Sequence, residues 1–201
     1  MEEIPTLKIL TLGDASVGKT CILLRFSEDE FPTVTMPTIG IEYKTKLVQI
    51  QGEQVKLQVW DTAGQERYHR TLASTFYRRA NGIVLVFDLT DRNSLDHVEN
   101  WMKQIRQKAD PKVAIILVGN KMDLIDQTTF PDGKALADSY GIPFFMVSAK
   151  TGKNIAEVYN TLSDMIVRQD PTVLQGNNAP PATVHVRTPP VVQKKDTMCC
   201  K

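Results

Sequence analysis

Short apolar stretches alternate with longer amphipathic stretches along most of this chain. Several of the short stretches are continuous runs of apolar residues, which is typical of strands buried on both faces of a sheet. The longer stretches carry apolar residues at helical spacing, for example at Leu95, Val98, Met102 and Ile105. The predicted strands cover residues 7–13, 55–61, 82–90, 113–120 and 142–149, and the predicted helices cover residues 18–29, 93–109, 132–141 and 154–169.

The order of these elements predicts the fold. Strands that alternate with helices indicate an α/β fold with a mostly parallel sheet. Residues 41–50 and 55–61 depart from that order, because the polar residues 51–54 between them are typical of a β-hairpin. We therefore predict a mostly parallel six-stranded sheet with one antiparallel edge strand and with helices on both faces. The helix over 93–109 is expected to begin with Asn93 or Ser94 as its N-cap.

Composition places most of the chain in one globular domain. The 201 residues are 42% hydrophobic and 23% charged, and a net charge of +1 gives no reason to expect nucleic-acid binding. Prolines and scattered valines then replace the helical pattern, which predicts a globular domain over 1–168 and a disordered tail over 169–201. No secretory signal is apparent, and no apolar run approaches the ~20 residues of a membrane-spanning helix. The three cysteines form no disulfide framework, so we expect a cytosolic chain unless a lipid is attached.

The first predicted strand leads directly into the sequence GDASVGKT, which spans Gly13 to Thr20. Glycines at both ends of such a loop let backbone N–H groups point at phosphate oxygens, and the following helix adds its positive end. Lys19 would contact the β- and γ-phosphates of a nucleotide, and the Thr20 hydroxyl would bind Mg²⁺. A phosphate loop alone leaves ATPase, kinase and GTPase activities open.

Two later loops favour guanine as the base. The sequence NKMD, Asn120 to Asp123, follows a predicted strand, and its final carboxylate can accept hydrogen bonds from the ring N–H and the exocyclic amine of guanine. Adenine lacks this pair of donors and would leave the carboxylate unpaired. The sequence SAK, Ser148 to Lys150, follows the next strand and offers a backbone N–H to the guanine oxygen. Ligands of such folds bind beyond the carboxyl ends of the strands.

Two further segments are candidates for metal binding and hydrolysis. Asp61 ends a predicted strand in VWDTAGQE and would hold Mg²⁺ through a water molecule. Gly64 could place its N–H against the γ-phosphate, and Gln65 could orient the attacking water. Upstream, Thr38 could sense the γ-phosphate through Mg²⁺, while Phe31 either stacks on the edge of guanine or packs at a helix end.

Together these motifs resemble the five guanine-nucleotide loops of Ras-like small GTPases, which are P-loop proteins with a small G domain. The resemblance covers roughly residues 6–168, and the stretches IGIEYK, KLQVWDTAGQE, FYRRA and LVFDLTD resemble the Rab branch. The acidic stretch RFSEDEF is similar to Rabs of the secretory type. The resemblance implies a switch that cycles between GDP- and GTP-bound states, hydrolyses GTP slowly without a GAP, and recruits effectors for vesicle-mediated membrane and protein transport.

The same resemblance assigns roles to individual residues. The implied catalytic residues are Gln65 and Lys19, and the implied Mg²⁺ ligands are Thr20, Thr38 and Asp61. The implied effector contacts are Ile39, Tyr43, Trp60 and Tyr77, with core packing as the alternative for the three aromatic residues. The implied GTP and GDP contacts are Gly13, Ala15, Ser16, Val17, Gly18, Lys19, Thr20, Cys21, Phe31, Thr38, Gly64, Asn120, Lys121, Asp123, Ser148, Ala149 and Lys150.

The sequence finishes with Cys199, Cys200 and Lys201, which is similar to Rab endings that are geranylgeranylated on both cysteines. One lipid chain gives weak, reversible membrane attachment, and a second makes it stable. We expect attachment to the cytoplasmic face of a secretory, endosomal or plasma membrane, with a cytosolic pool; unmodified thiols are the alternative. We expect the chain to be a monomer, and its implied partners are an exchange factor, a GAP, a GDP-dissociation inhibitor, a prenyltransferase with its escort protein, and effectors.

Two other functions remain open from the sequence. Ala15 and Ser16 occupy loop positions where many Ras-like proteins have glycine, and a side chain near the γ-phosphate could leave a GTP-binding scaffold that scarcely hydrolyses. A P-loop kinase or ATPase would prefer adenine, and the NKMD and SAK sequences argue against it.

Overall fold

Six strands form a single sheet in this protein, of which the computed structural model describes residues 4–33, 38, 40–62, 74–126 and 132–175. The strands are β1 Thr6–Leu12, β2 Ile41–Ile50, β3 Glu53–Thr62, β4 Gly82–Asp88, β5 Ala114–Asn120 and β6 Phe144–Met146.

The strands lie in the order β2-β3-β1-β4-β5-β6 across the sheet. β2 and β3 pair antiparallel as a hairpin, with Tyr43 opposite Trp60, and the other described neighbours pair parallel. The hairpin turn places Gln51 at a φ of 51° and Gly52 at a φ of 88°, which suits the right-handed twist of the two strands. The predicted six-stranded sheet with one antiparallel edge strand is confirmed.

Helices cover both faces of the sheet, as predicted. The α-helices are α1 Lys19–Glu28, α2 Ser74–Arg79, α3 Arg92–Asp96, α4 Val98–Lys108, α5 Asp132–Tyr140 and α6 Ile155–Gln169, and short 3-10 helices cover Met122–Leu124 and Pro171–Gln175.

Alternate side chains of the central strands enter two separate apolar clusters. From β4, Val84 and Val86 join the cluster that contains residues of α1 and α6. Ile83, Leu85 and Phe87 join the cluster that contains residues of α2, α4 and α5. These five side chains are at most 1% exposed. Burial on both faces explains why the strand sequences are continuously apolar rather than alternating.

The helix predicted over 93–109 begins earlier and is divided at His97. Asp91 is the N-cap, since its side chain accepts a hydrogen bond from the backbone N–H of Asn93 at 3.0 Å. Ser94 instead accepts from the N–H of Asp88 and donates to the carbonyl of Asp91. The predicted cap at Asn93 or Ser94 is therefore wrong, because the β4 end already uses the Ser94 hydroxyl.

The packed part of the chain extends beyond the predicted domain boundary at residue 168. α6 ends at Gln169, and the following 3-10 helix places Val173 and Leu174 half-buried against the α1 and α6 cluster. The prediction of a disordered tail from residue 169 is therefore wrong for residues 169–175, because Gln169 belongs to α6 and two apolar side chains of the 3-10 helix find a packing surface. The rest of the predicted tail, residues 176–201, lies outside the described residues. In the described ranges, no helix combines the length and apolar character needed to cross a bilayer.

Candidate functional site

The loops that follow β1, β5 and β6 meet the end of β3 at the carboxyl edge of the sheet. The Thr20 hydroxyl, just after the first loop, donates to Asp61 at the end of β3. Asn120 at the end of β5 contacts both the first loop and the loop after β6. The structure thus brings together the GDASVGKT, NKMD and SAK sequences, as their positions after parallel strands predict.

Two glycines shape the loop between β1 and α1. Gly13 has a φ of 140° and Gly18 a φ of 94°, values that residues with side chains rarely adopt. A Cβ at Gly13 would lie 2.1 Å from the carbonyl oxygen of Val86, and one at Gly18 would lie 2.3 Å from Nδ2 of Asn120. The loop therefore approaches its neighbours too closely for any other residue at these positions.

Lys19 begins α1 and is only 5% exposed. Its Nζ donates to the carbonyl oxygens of Gly13 at 2.9 Å and of Asp14 at 2.6 Å. Burial lowers the pKa of Lys19 from 10.5 to about 8, while the charges of Asp61 and Asp14 partly oppose this shift. Because both hydrogen-bond acceptors are neutral carbonyls, a phosphate beside Nζ would favour the charged form of the lysine.

Three oxygen-bearing side chains form a set suited to a hard cation. Thr20 Oγ1 donates to Asp61 Oδ2 at 2.6 Å, and Thr38 Oγ1 lies 2.8 Å from Thr20 Oγ1 and 3.2 Å from Asp61 Oδ2. Asp61 is 1% exposed, its Oδ1 has no hydrogen-bond partner among the described residues, and burial raises the pKa of its carboxyl group. An oxygen-only set with a buried, unpaired carboxylate oxygen fits Mg²⁺.

The Asn120 side chain links the phosphate loop to the SAK loop. Its Nδ2 donates to the carbonyl oxygen of Val17 at 2.9 Å, and its Oδ1 accepts from the backbone N–H of Ala149 at 3.1 Å. The residue is 2% exposed. Both ends of the amide are thus satisfied inside the protein, which fixes the distance between the two loops.

The side chains of the NKMD sequence are held in place by neighbouring loops. Asp123 Oδ1 accepts from Ser148 Oγ at 2.6 Å, and Lys150 Nζ lies 3.9 Å from Asp123 Oδ2. Lys121 has a left-handed φ of 66°, and its Nζ lies 2.5 Å from Asp88 Oδ2. The predicted base-binding carboxylate is therefore anchored by the SAK loop.

No sequence pattern predicts the tether that Asp14 forms between the phosphate loop and α4. Asp14 accepts from Trp101 Nε1 at 2.8 Å through Oδ1, and its Oδ2 lies 2.6 Å from His97 Nδ1. The hydrogen bond and charge of Asp14 raise the pKa of His97, with smaller contributions from Asp91 and Asp96. The spacing of His97 and Trp101 places them on one helix face, but nothing in the sequence identifies a partner 83 residues earlier.

Comparison with known proteins decides the family. The chain matches the Ras family over residues 8–168. It is 44% identical over 195 residues to Ras-related protein RABD2a of Arabidopsis thaliana, with 96% of this chain and 95% of that protein covered. It is also 49% identical over 160 residues to Ras-related protein RABE1e of the same plant (78% and 73% covered), and 47% identical over 165 residues to GTP-binding protein ypt2 of Schizosaccharomyces pombe (81% and 82% covered). The chain belongs to the Ras family.

Its similarity to Rab proteins over nearly its whole length places it in the Rab branch of that family. Ras-family proteins hydrolyse GTP, and this Rab-branch chain is accordingly a GTPase. Family membership therefore decides against the alternative of a P-loop kinase or ATPase.

The aromatic surface of this Rab-branch protein consists of Tyr43, Trp60 and Phe76, whereas the prediction had Tyr77 in place of Phe76. Ring centroids of Tyr43 and Trp60 lie 4.8 Å apart, and those of Trp60 and Phe76 lie 5.2 Å apart. Tyr43 is 51% exposed, whereas Tyr77 is fully buried in the α2, α4 and α5 cluster. The assignment of Tyr77 to an effector-contact surface is wrong, because its ring points into the core and Phe76 contacts Trp60 instead.

The exposure of the other predicted nucleotide contacts shows which side chains a nucleotide could reach. Phe31 is 41% exposed, and Ala15 and Ser16 are also exposed. The Cys21 side chain belongs to the core, where burial raises the pKa of its thiol, so only its main chain is available to a nucleotide. Five predicted residues lie outside the described residues: Ile39, Gly64, Gln65, Cys199 and Cys200.

Replacing Gly18 with Ala is expected to weaken GDP binding by roughly a hundredfold, because the new Cβ collides with the Asn120 amide and displaces the phosphate loop. Gly52→Ala is the matched control, since Gly52 has a φ of 88° and an added Cβ there would meet nothing within 4 Å beyond its chain neighbours. Equilibrium titration with fluorescent GDP measures both. Equal losses in the two variants would show that general destabilisation of the fold by a strained backbone, and not the collision at Gly18, weakens binding.

Proton NMR should find that His97 titrates above its ordinary pKa of 6.5. Asp14→Asn is expected to lower that pKa strongly, whereas the control Asp96→Asn should change it little. Because protonated His97 is favoured in the folded state, its contribution to stability is complete below pH 6.5 and is lost as the pH rises through the raised native pKa. A His97 pKa that is unchanged by Asp14→Asn would contradict the tether.

Proposed function

We propose that this protein is a Rab-type molecular switch that binds guanine nucleotides with Mg²⁺, hydrolyses GTP and directs vesicle-mediated membrane and protein transport. The observation that carries the proposal is the Asn120 amide, which joins the phosphate loop to the SAK loop beside the Asp123 carboxylate. This arrangement supports one pocket that holds phosphates at one end and a base at the other.

Base recognition is assigned to Asp123 and the SAK loop. A carboxylate held by Ser148 keeps lone pairs for the ring N–H and the exocyclic amine of guanine. Adenine presents no such pair of donors, so its binding would leave the charged carboxylate unsatisfied. Phe31, which is exposed beyond the end of α1, is available to stack on the base.

Phosphate binding and hydrolysis are assigned to the loop after β1 and its neighbours. Lys19 would stabilise negative charge on the β- and γ-phosphates, and the loop N–H groups would orient them. Thr20, Thr38 and Asp61 would hold a Mg²⁺ ion, which supplies charge neutralisation to the phosphate oxygens when bound. Gln65 would orient the attacking water, and a GAP would complete the site.

The switch itself would lie in the segments around Thr38 and Gly64. Contacts to the γ-phosphate would order these segments in the GTP state, and hydrolysis would release them. Tyr43 and Phe76 flank Trp60 on the same face, so this aromatic surface is available to effectors that read the ordered state. An exchange factor and a GDP-dissociation inhibitor would act on the GDP state.

Membrane attachment is assigned to Cys199 and Cys200. Two geranylgeranyl chains, added by a prenyltransferase with its escort protein, would anchor the chain stably where one would not. The basic side chains of residues 176–201 are few, so lipids would dominate attachment to the cytoplasmic face of a secretory, endosomal or plasma membrane.

The order of affinities is expected to be GDP, then inosine diphosphate, then ADP. Hypoxanthine lacks the exocyclic amine and loses one hydrogen bond to a charged group, which costs roughly 10- to 100-fold in affinity. ADP should bind at least about a thousandfold more weakly than GDP. Competition against labelled GDP measures the three affinities. Asp123→Ala should reduce the difference in affinity between GDP and inosine diphosphate. Equal affinity for ADP and GDP would contradict guanine recognition.

Gln65→Leu is expected to slow single-turnover GTP hydrolysis by about tenfold or more while GTP affinity is retained, because the attacking water loses its orienting group. The control Gln49→Leu changes an exposed glutamine of β2 and should hydrolyse at the wild-type rate. A wild-type chain that hydrolyses no GTP with or without a GAP would contradict its assignment as a GTPase and favour the GTP-binding scaffold. An unchanged rate in Gln65→Leu would contradict the role of that residue.

Replacing both Cys199 and Cys200 with Ser should move the tagged, full-length protein from membranes to the cytosol. Lys194→Ala with Lys195→Ala removes two tail charges and serves as the control, which should stay on membranes because lipids dominate the attachment. Cell fractionation and microscopy give the distribution. Retention of the double serine variant on the same membrane would exclude lipid anchoring.

A further inference from the structure

Arg25 connects the last turn of α1 to the SAK loop, a contact that no sequence motif indicates. Its Nε donates to the carbonyl oxygen of Ala149 at 2.9 Å, and its Nη2 donates to that of Lys150 at 3.0 Å. These partners lie 124 and 125 residues farther along the chain. A single side chain thus holds two consecutive carbonyl groups of the loop assigned to base recognition.

The same guanidinium group is also fixed at the end of α1. Its Nη1 donates to the carbonyl oxygen and to Oδ1 of Asp29, at 2.7 and 2.9 Å. Asp29 caps the helix with a left-handed backbone and returns its N–H to the carbonyl of Leu24. The Arg25 side chain is only 16% exposed, and a planar group with four hydrogen bonds has little freedom to move. The SAK loop is therefore positioned relative to α1 by a rigid connection.

Holding the two carbonyls also fixes the N–H groups that follow them. No peptide bond in the described chain is cis, so each carbonyl held by Arg25 directs the next N–H to the opposite side. The second of these N–H groups belongs to Thr151 and donates to Ser148 Oγ at 3.1 Å. Ser148 Oγ in turn donates to Asp123 at 2.6 Å. Continuous contacts therefore lead from Arg25 to the carboxylate assigned to guanine.

We propose that Arg25 is a positioning residue for guanine recognition, an inference that rests on the guanine site proposed above. Helix α1 then orients both halves of the nucleotide, with Lys19 and Thr20 at its beginning and Arg25 in its last turn. Loss of Arg25 weakens GDP and GTP alike, because both carry the same base. It affects nucleotide release more than the hydrolysis step, because Lys19 and Thr20, which are assigned to the phosphates, lie at the other end of α1.

Arg25→Lys tests this role with little disturbance of the fold, since lysine keeps the charge but lacks the fork that reaches two carbonyls and Asp29. The full-length variant, loaded with fluorescent GDP, is expected to release it about tenfold faster than the wild type. Its preference for GDP over ADP should fall by a similar factor in competition titrations. Single-turnover hydrolysis of bound GTP should change by a smaller factor than GDP release does.

Asp29→Asn is the matched control, because it removes the ion pair with Arg25 while the bonds to the SAK loop remain, and asparagine tolerates the left-handed backbone. Because the backbone carbonyl and the new amide oxygen can still accept from Nη1, the guanidinium group stays in place and this variant should release GDP at close to the wild-type rate. Wild-type release from Arg25→Lys, equal acceleration in Asp29→Asn, or a lower melting temperature without lost guanine preference would each overturn the proposal. A wild-type chain that does not retain GDP would overturn the proposed function, and this role with it.

Discussion

The buried amide of Asn120 is the interaction on which the site depends. It donates to the phosphate loop at Val17 and accepts from the SAK loop at Ala149, so one side chain sets the spacing between the two ends of the pocket. The parallel order β1-β4-β5 brings the end of β5 next to the loop after β1. Gly18 has no room for a side chain because this amide occupies the space. The strand order therefore places the Asn120 side chain where the glycine at position 18 and the spacing of the two loops both depend on it.

Around this contact the protein buries charges that its own residues leave incompletely compensated. Lys19 is almost inaccessible and bonded to neutral carbonyls, and Asp61 keeps one carboxylate oxygen without a partner among the described residues. Such groups cost stability when isolated. A phosphate beside the lysine and a cation beside the carboxylate would remove that cost, so ligand binding would stabilise the folded chain. Arg25 differs from Lys19 and Asp61, because its four hydrogen bonds are made to groups of the protein itself. They can therefore hold the SAK loop in either nucleotide state.

The sequence predicted those features of the fold that depend on residues close together along the chain. The continuous apolar strands, the hairpin and the GDASVGKT, NKMD and SAK loops follow from period, turn chemistry and fixed spacing, and the fold confirms their placement at one sheet edge. The wrong or missing predictions concern features that depend on contacts between residues far apart in the sequence. Neighbouring Phe76 and Tyr77 are both aromatic, and only the packing of α2 decides which ring is buried. Asp14 with His97, and Arg25 with Ala149, pair across more than eighty residues, so no local pattern reports them.

The rate of GDP release from Asn120→Ala, compared with that of the wild type, tests the central interaction most directly. Removal of the amide leaves two buried backbone groups without partners and separates the loops, so release should accelerate by about a hundredfold and the preference for GDP over ADP should narrow. A variant that remains folded, releases GDP at the wild-type rate and keeps its full preference for guanine would contradict the account.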